Sequence, residues 1–259
     1  MPGHDAPTDG LLVVVDSPVH RLPAQTKVVA VVAVVAVVVL TPRGAWWVLA
    51  AQGALVALTA TVARLPVRLV LRRLLVEAPF VVFAVLMPFV AEGPRVQVGP
   101  FSLSHAGLIG GGTVLVKATI GVLAAVVLAA TTGPRELLAG LERLRLPAVL
   151  VAILSFMLRY VGVIADELHR VRVAREARGG GQGDRAGLAA VAGGVGTRFV
   201  RTYERGERVQ QAMLARGYTG RMPALGRGGA TTAQWALALV LPTAALMVLL
   251  VGLAMTVPR

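Results

Sequence analysis

The chain has 259 residues, 56% of them apolar and only 15% charged, with a mean hydropathy of +0.74. Soluble domains run at about 45–50% apolar and about 25% charged, so a soluble fold is excluded and an integral membrane protein is expected. The 26 Lys and Arg outnumber 13 acids and give a net charge of +13. In so apolar a chain, basic loops point to cytoplasmic retention and anionic lipid, with the bilayer as partner and no nucleic acid. Cysteine is absent, which removes disulfides, thiolate metal sites and Cys nucleophiles together.

In chain order, the first residues carry Asp5, Asp9 and Asp16 where a signal peptide would carry basic residues, so the first span is expected to persist in the mature protein. That span lies between Lys27 and Arg43, 15 uncharged residues that are nearly all Val and Ala. At about 1.5 Å per residue it is short for a core of roughly 30 Å, and snorkelling of Lys27 and Arg43 is expected to extend it. The second span, 44–63, is uncharged and opens with Trp46 and Trp47 as interfacial anchors. The third covers about 74–91, with Glu77 near its start. The fourth covers about 106–132 and holds a lone Lys117. The last covers about 232–257, with Trp235 at its entry and Pro242 inside.

Arg64, Arg68, Arg72 and Arg73 crowd the loop between spans two and three, which places that loop, and with it the N-terminus, in the cytoplasm. A sixth apolar run, 146–158, is read as not crossing. If it crossed, residues 159–227, with 13 Arg and 6 acids, would lie outside. The expected fold is therefore an all-α integral membrane protein of about five transmembrane helices. A cytoplasmic coupling domain of about three amphipathic helices is inserted before the last span. The segments are 1–26 (cytoplasmic), 27–132 (four spans), 133–230 (the insert) and 231–259 (last span).

The insert divides into three helices. Pro134 starts the first, 134–146, with Leu137, Leu138, Leu141 and Leu144 at helical spacing. Pro147 starts the second, which runs to about 178 with Met157, Val161, Ile164, Leu168 and Val171 in one stripe. The third covers about 197–216, with Phe199, Tyr203, Gln210 and Met213 in register. Both long helices end in Ala-Arg-Gly: Ala177-Arg178-Gly179 and Ala215-Arg216-Gly217. A Gly cap with a cation in the last turn is common for structural reasons alone. Two such ends in one insert of a multispan protein are harder to attribute to capping.

These paired ends resemble the signature of the transmembrane T components (EcfT family) of energy-coupling factor transporters, ABC-type importers of vitamins and transition-metal ions. The opening Ser17-Pro18-Val19-His20-Arg21-Leu22 ahead of Lys27, and Leu40-Thr41-Pro42-Arg43 with Trp46-Trp47, are similar to the cobalt-type CbiQ subgroup. Ser155-Phe156-Met157-Leu158-Arg159-Tyr160, followed by Glu167, Arg170 and Ala174, resembles the most recognisable cytoplasmic block of the family. The resemblance covers roughly residues 17–255.

It implies a coupling subunit in the cell membrane that carries no catalytic site, with ATP hydrolysed by partner subunits. The partners implied are two ABC ATPase subunits and a substrate-binding S component, CbiM-like if the cargo is cobalt. The implied ATPase-coupling residues are Ala177, Arg178, Gly179, Ala215, Arg216 and Gly217. Nickel or a vitamin such as biotin are alternative cargoes, and a conventional ABC permease subunit is the alternative class.

Other polar residues offer less. For Glu77, near Arg73 at the inner interface, a solvated or paired role is expected. For Lys117, an interhelix pair or carbonyl contact is preferred over transport. His4, His20, His105 and His169 show no ligand spacing, and neither a metal nor a cofactor site is expected in this chain. Gly110-Gly111-Gly112 and Gly179-Gly180-Gly181 are followed by no Gly-Lys-Ser/Thr, so they are read as packing and linker glycines and not as phosphate loops.

Overall fold

The computed structural model describes residues 15–92, 94–98, 101–177, 184–220 and 229–256. These form two compact units, one of residues 1–144 with 227–259, the other of residues 145–226.

The first unit contains α1 (Ala24–Leu40), α2 (Trp46–Val62), α3 (Val67–Leu74), α4 (Ala78–Val90), β1 (Arg95–Val98), β2 (Phe101–Ser104), α5 (His105–Thr131), α6 (Pro134–Arg143) and α9 (Thr232–Thr256). Helix α1 is built from Val and Ala in near-continuous runs. By intrinsic preference the valines favour strands. Inside a bilayer only a closed hydrogen-bond pattern is tolerable, and the helix wins. It stops at Thr41 because the following Pro42 disfavours helical geometry at the residue before it.

The core sits where α1, α2, α5 and α9 meet. Val34 and Val38 pack with Leu49, Val56, Ile120 and Ala124, while Val37 and Val48 meet Ala245 and Leu249. Helix α2 runs parallel to α5, since Leu49 and Val56 lie with Ile120 and Ala124 and Ala60 lies with Val127 and Ala130. Helix α9 runs antiparallel to α2, because Gln52 reaches the carbonyl of Ala245 and the Cα of Gly252 faces Val48. The α5 C-terminus and the α9 N-terminus therefore share one end of this unit.

Helix α4 is held to α5 through small residues. A Cβ on Gly111 would stand 2.6 Å from the carbonyl oxygen of Ala84, and one on Gly107 would stand 2.6 Å from the Cα of Pro88. The four-residue spacing of these glycines lets the two backbones touch, as in small-residue membrane packing. The antiparallel order continues at the near end, where Glu77 meets Thr119.

Several features differ from expectation. The third span is not one helix over 74–91: a 3-10 turn, Leu75–Glu77, separates the amphipathic α3 from the 13-residue α4. Pro79, in the first turn of α4, explains the break, since its ring clashes with the carbonyl four residues earlier. The expected loop around 92–105 contains an antiparallel hairpin pairing Arg95 with Ser104 and Val98 with Phe101. The alternation in Arg95-Val96-Gln97-Val98 is the period-two signal that a span-by-span reading passes over. Helix α6, grouped above with the insert, packs on α1, with Gly140 against Ala24 and Gln25. Finally, Lys27 does not snorkel: it is only 5% exposed.

Helices α2 and α6 end alike. Arg64 and Arg145 both adopt left-handed φ, +54° and +65°, and each is followed by Leu-Pro. At Arg64 the turn closes with Leu65 N–H to Ala60 and Arg64 N–H to Thr61, a Schellman cap without glycine.

The second unit contains α7 (Ala148–Ala177) and α8 (Asp184–Ala215). Helix α8 starts well before the expected 197, because the Ala- and Gly-rich stretch ahead of that position continues the helix. The first part of α7, Ala148–Val171, is long and apolar enough to cross a membrane, as are α5 and α9. Helix α8, with eight charged residues in its sequence, is not among the helices apolar enough to do so.

Gly111→Ala should lower thermal stability in detergent by about 1–3 kcal/mol, the usual cost of overpacking. Gly121→Ala, where an added Cβ meets nothing within 4 Å, should be neutral or better by the same assay.

Candidate functional site

Of the two Ala-Arg-Gly ends, the first lies mostly outside the described residues: Ala177 is the last residue of α7 and exposed, whereas Arg178 and Gly179 fall beyond them. The second is fully visible. Ala215 closes α8, Arg216 occupies the cap position, and Gly217 follows with φ +82°. Tyr218 N–H bonds the carbonyl of Met213 at 3.0 Å and Gly217 N–H bonds that of Leu214 at 3.0 Å. This double closure is a Schellman motif, and the left-handed residue it needs is the one a glycine adopts without strain. Ala215, Arg216 and Gly217 are all exposed. The cap thus fixes the backbone on both sides of Arg216 while its guanidinium stands in solvent.

Between α7 and α8 runs an open apolar groove of about 970 Å³, lined by Ile153, Phe156 and Tyr160 from one helix and Tyr203, Gln210 and Met213 from the other. Phe156 and Tyr160 stack with centroids 6.4 Å apart. Arg205 of α8 approaches Glu167 of α7 at 3.7 Å. The groove uses the N-terminal half of α7. Met157 of the expected stripe lines it too; Val161 and Ile164 do not, and are 47% and 38% exposed. The groove reaches the second tripeptide, where Leu214, Tyr218, Thr219 and Gly220 line it.

In the first unit the polar residues have specific work. Lys117 donates to the carbonyls of Val39 and Thr41 at 2.8 and 2.7 Å, the carbonyl contact expected for it. Glu77 is neither solvated nor paired with Arg73, as was expected. It is 5% exposed; the Thr119 hydroxyl lies 2.9 Å from its Oε2, and Oε1 has no partner among the described residues. The reason is the helix break, which turns Glu77 inward onto α5. Among the described residues there is no cluster of three or more His, Asp or Glu able to hold a metal.

Sequence reasoning missed Gln52 and the role of Lys27. Gln52 is fully buried between α1, α2 and α9, accepting from Thr41 at 3.2 Å and donating to Ala245 at 3.5 Å. The signal for Lys27 was present: the sequence holds 24 Arg and two Lys, and both Lys lie in the spanning region.

Residues 16–225 match the family model described as cobalt transport protein, CbiQ. The chain belongs to the CbiQ family. An energy-coupling factor transporter transmembrane protein EcfT of Heliobacterium modesticaldum is 32% identical over 182 residues, 66% of this chain and 68% of that protein. The cobalt transport protein CbiQ of Rhodobacter capsulatus is 30% identical over 132 residues, 50% of this chain and 54% of that one. An EcfT of Listeria innocua is 27% identical over 217 residues, 78% and 80% of the two chains. The CbiQ-family match includes both Ala-Arg-Gly ends and stops short of α9. Membership makes this chain a multi-pass membrane component of a transporter.

Gly217→Ala should cost about 1–2 kcal/mol, the strain of a left-handed non-glycine residue, since space itself is free there. Hydrogen exchange should show the loss confined to the last turn of α8.

Proposed function

We propose that this chain is the transmembrane coupling subunit of an energy-coupling factor importer. It transmits ATP-driven motion of two ATPase subunits to a substrate-binding S component, and its cargo is cobalt. ATP is hydrolysed in the ATPases and not here. The N-terminus faces the cytoplasm, which agrees with the four arginines at 64–73. The observation that carries the reading is the second tripeptide: an exposed arginine held on a capped helix end beside an apolar groove. Its twin, Arg178, is assigned the same task from sequence and family likeness. Arginine suits the role because its planar fork binds carboxylate and carbonyl groups together and stays charged. The small Ala and Gly on either side keep the tip narrow enough for a socket. Cobalt is favoured by the family description and by the name of the Rhodobacter relative.

Co-purification of the full chain after mild solubilisation should recover two ATPase subunits and an S component. Arg178→Ala and Arg216→Ala should leave protein levels near normal, because neither loses more than a cap contribution of about 0.3–1 kcal/mol. Cobalt uptake should fall at least about tenfold, as expected when a desolvated charge contact costing about 2–5 kcal/mol is removed. Wild-type uptake in both variants would reduce the tripeptides to caps.

The chain has no cysteine, so topology can be read with single introduced ones. A Cys at the exposed Gly196 should resist an impermeant reagent applied to intact cells. Labelling there would place the second unit outside.

A further inference from the structure

The two lysines of this chain tie the same pair of helices at opposite ends, and each does so through the C-terminal carbonyls of the other helix. Lys27 of α1 donates to the carbonyl of Thr131, which ends α5, at 2.8 Å. It also reaches Thr132 Oγ1 at 3.3 Å and the carbonyl of His20 at 3.4 Å. Lys117 of α5 donates to the carbonyls of Val39 and Thr41, which end α1. The spacing is matched: Thr41 lies 14 residues after Lys27, and Thr131 lies 14 after Lys117. Over about 21 Å of antiparallel helix the two bonds therefore fall in register. Helix C-terminal carbonyls are the acceptors a helix cannot satisfy itself, and a cation placed there also meets the negative end of the dipole. An ammonium can point three N–H bonds at three acceptors inside a small buried space, where a flat guanidinium is wider.

The two ends differ in what else they hold. At the Lys117 end, Thr41 also reaches Gln52 of α2, which bonds Ala245 of α9, so the elements joined there are all spanning helices. At Lys27 a third element enters: α6 lies on the first turn of α1 at a distance only glycine permits. A Cβ on Gly140 would stand 2.8 Å from the Gln25 nitrogen and 2.9 Å from the Ala24 Cβ. Helix α6 runs directly into Arg145, where the second unit begins.

We infer that Lys27 is a positioning residue of the coupling path, joining α1, α5 and α6 into one rigid base through which motion of the second unit reaches the spanning helices. This rests on the coupling-subunit reading above. Without Lys27, α6 still carries α1, while α5 is left with apolar packing on α1 and the short link 132–133 to α6, a looser joint.

The test compares Lys27→Met with Lys117→Met in the full chain. Spin labels on cysteines at the exposed Val32 of α1 and Ala129 of α5 report the joint in lipid nanodiscs, with no partner or cargo needed. Lys27→Met should widen the label distance distribution, and an unchanged width overturns the joint. In the assembled transporter, Lys27→Met should keep ATP hydrolysis while Co2+ uptake per ATP falls by about tenfold or more, the scale of losing a charged hydrogen bond. Lys117→Met should lower thermal stability to a similar degree and leave that ratio within about twofold of wild type, since it lacks the link to α6.

Gly140→Ala, which lifts α6 from α1 with Lys27 intact, should reproduce the Lys27→Met ratio. If Lys27→Met fails to fold, Thr132→Val removes one acceptor and should shift width and ratio in the same sense. Equal ratios in the two lysine variants would make Lys27 a staple and nothing more. A wild-type chain that binds no ATPase would instead overturn the coupling-subunit reading, leaving the label result to stand by itself.

Discussion

A helix that ends inside or at the edge of hydrocarbon leaves carbonyls that no water can reach, and each must be met from within the protein. The first unit is arranged around that demand. Helices α1 and α2 have only 17 residues each, so their shared turn sits low against α5, near Lys117 and Thr113. The ammonium of Lys117, the hydroxyl of Thr41 and the amide of Gln52 together serve acceptors on α1, α2 and α9. At the other end Lys27 does the same for α5. Apolar packing alone would leave these helices free to slide, since lipid tails are as apolar as Val and Leu. The polar contacts fix the register.

The second unit follows a different rule. Helices α7 and α8 leave much apolar surface open, including Phe199 at 71% and Tyr203 at 62% exposure. What is firmly determined there is local: the Schellman closure at Gly217 and the stacked Phe156–Tyr160 pair. A backbone so held presents Arg216 with little freedom in the chain beneath it. Binding through that residue then orders a side chain and not a helix end, which lowers the entropic cost of docking.

Legibility in the sequence tracked the range of the forces involved. The positions of α1, α2, α5 and α9 were readable because hydropathy over about twenty residues is a local sum. The helix starts at Pro134 and after Pro147 were readable because proline acts on its immediate neighbours. The end of α8 was readable from Gly217 for the same reason. Helix α3 was not, since its four-residue Arg spacing served the charge argument and concealed an amphipathic face. The burial of Glu77 was invisible, because it depends on Thr119, far along the chain. The N-terminal half of α8 was lost because glycine and alanine runs describe linkers and membrane-type helices equally well. The lysine pair could have been found, had the rarity of Lys beside 24 Arg been taken as a signal.

The union of α4 with α5 bears on how the protein is made. At 13 residues α4 is too short to cross hydrocarbon by itself, and it brings the carboxylate of Glu77 with it. Both remedies lie on α5: the hydroxyl of Thr119 for the carboxylate, and the glycine face that lets the short helix sit backbone to backbone. The ribosome completes α4 before α5 exists. The earlier helix therefore lacks both until its successor is made, and the strands between them close the pair as a helical hairpin.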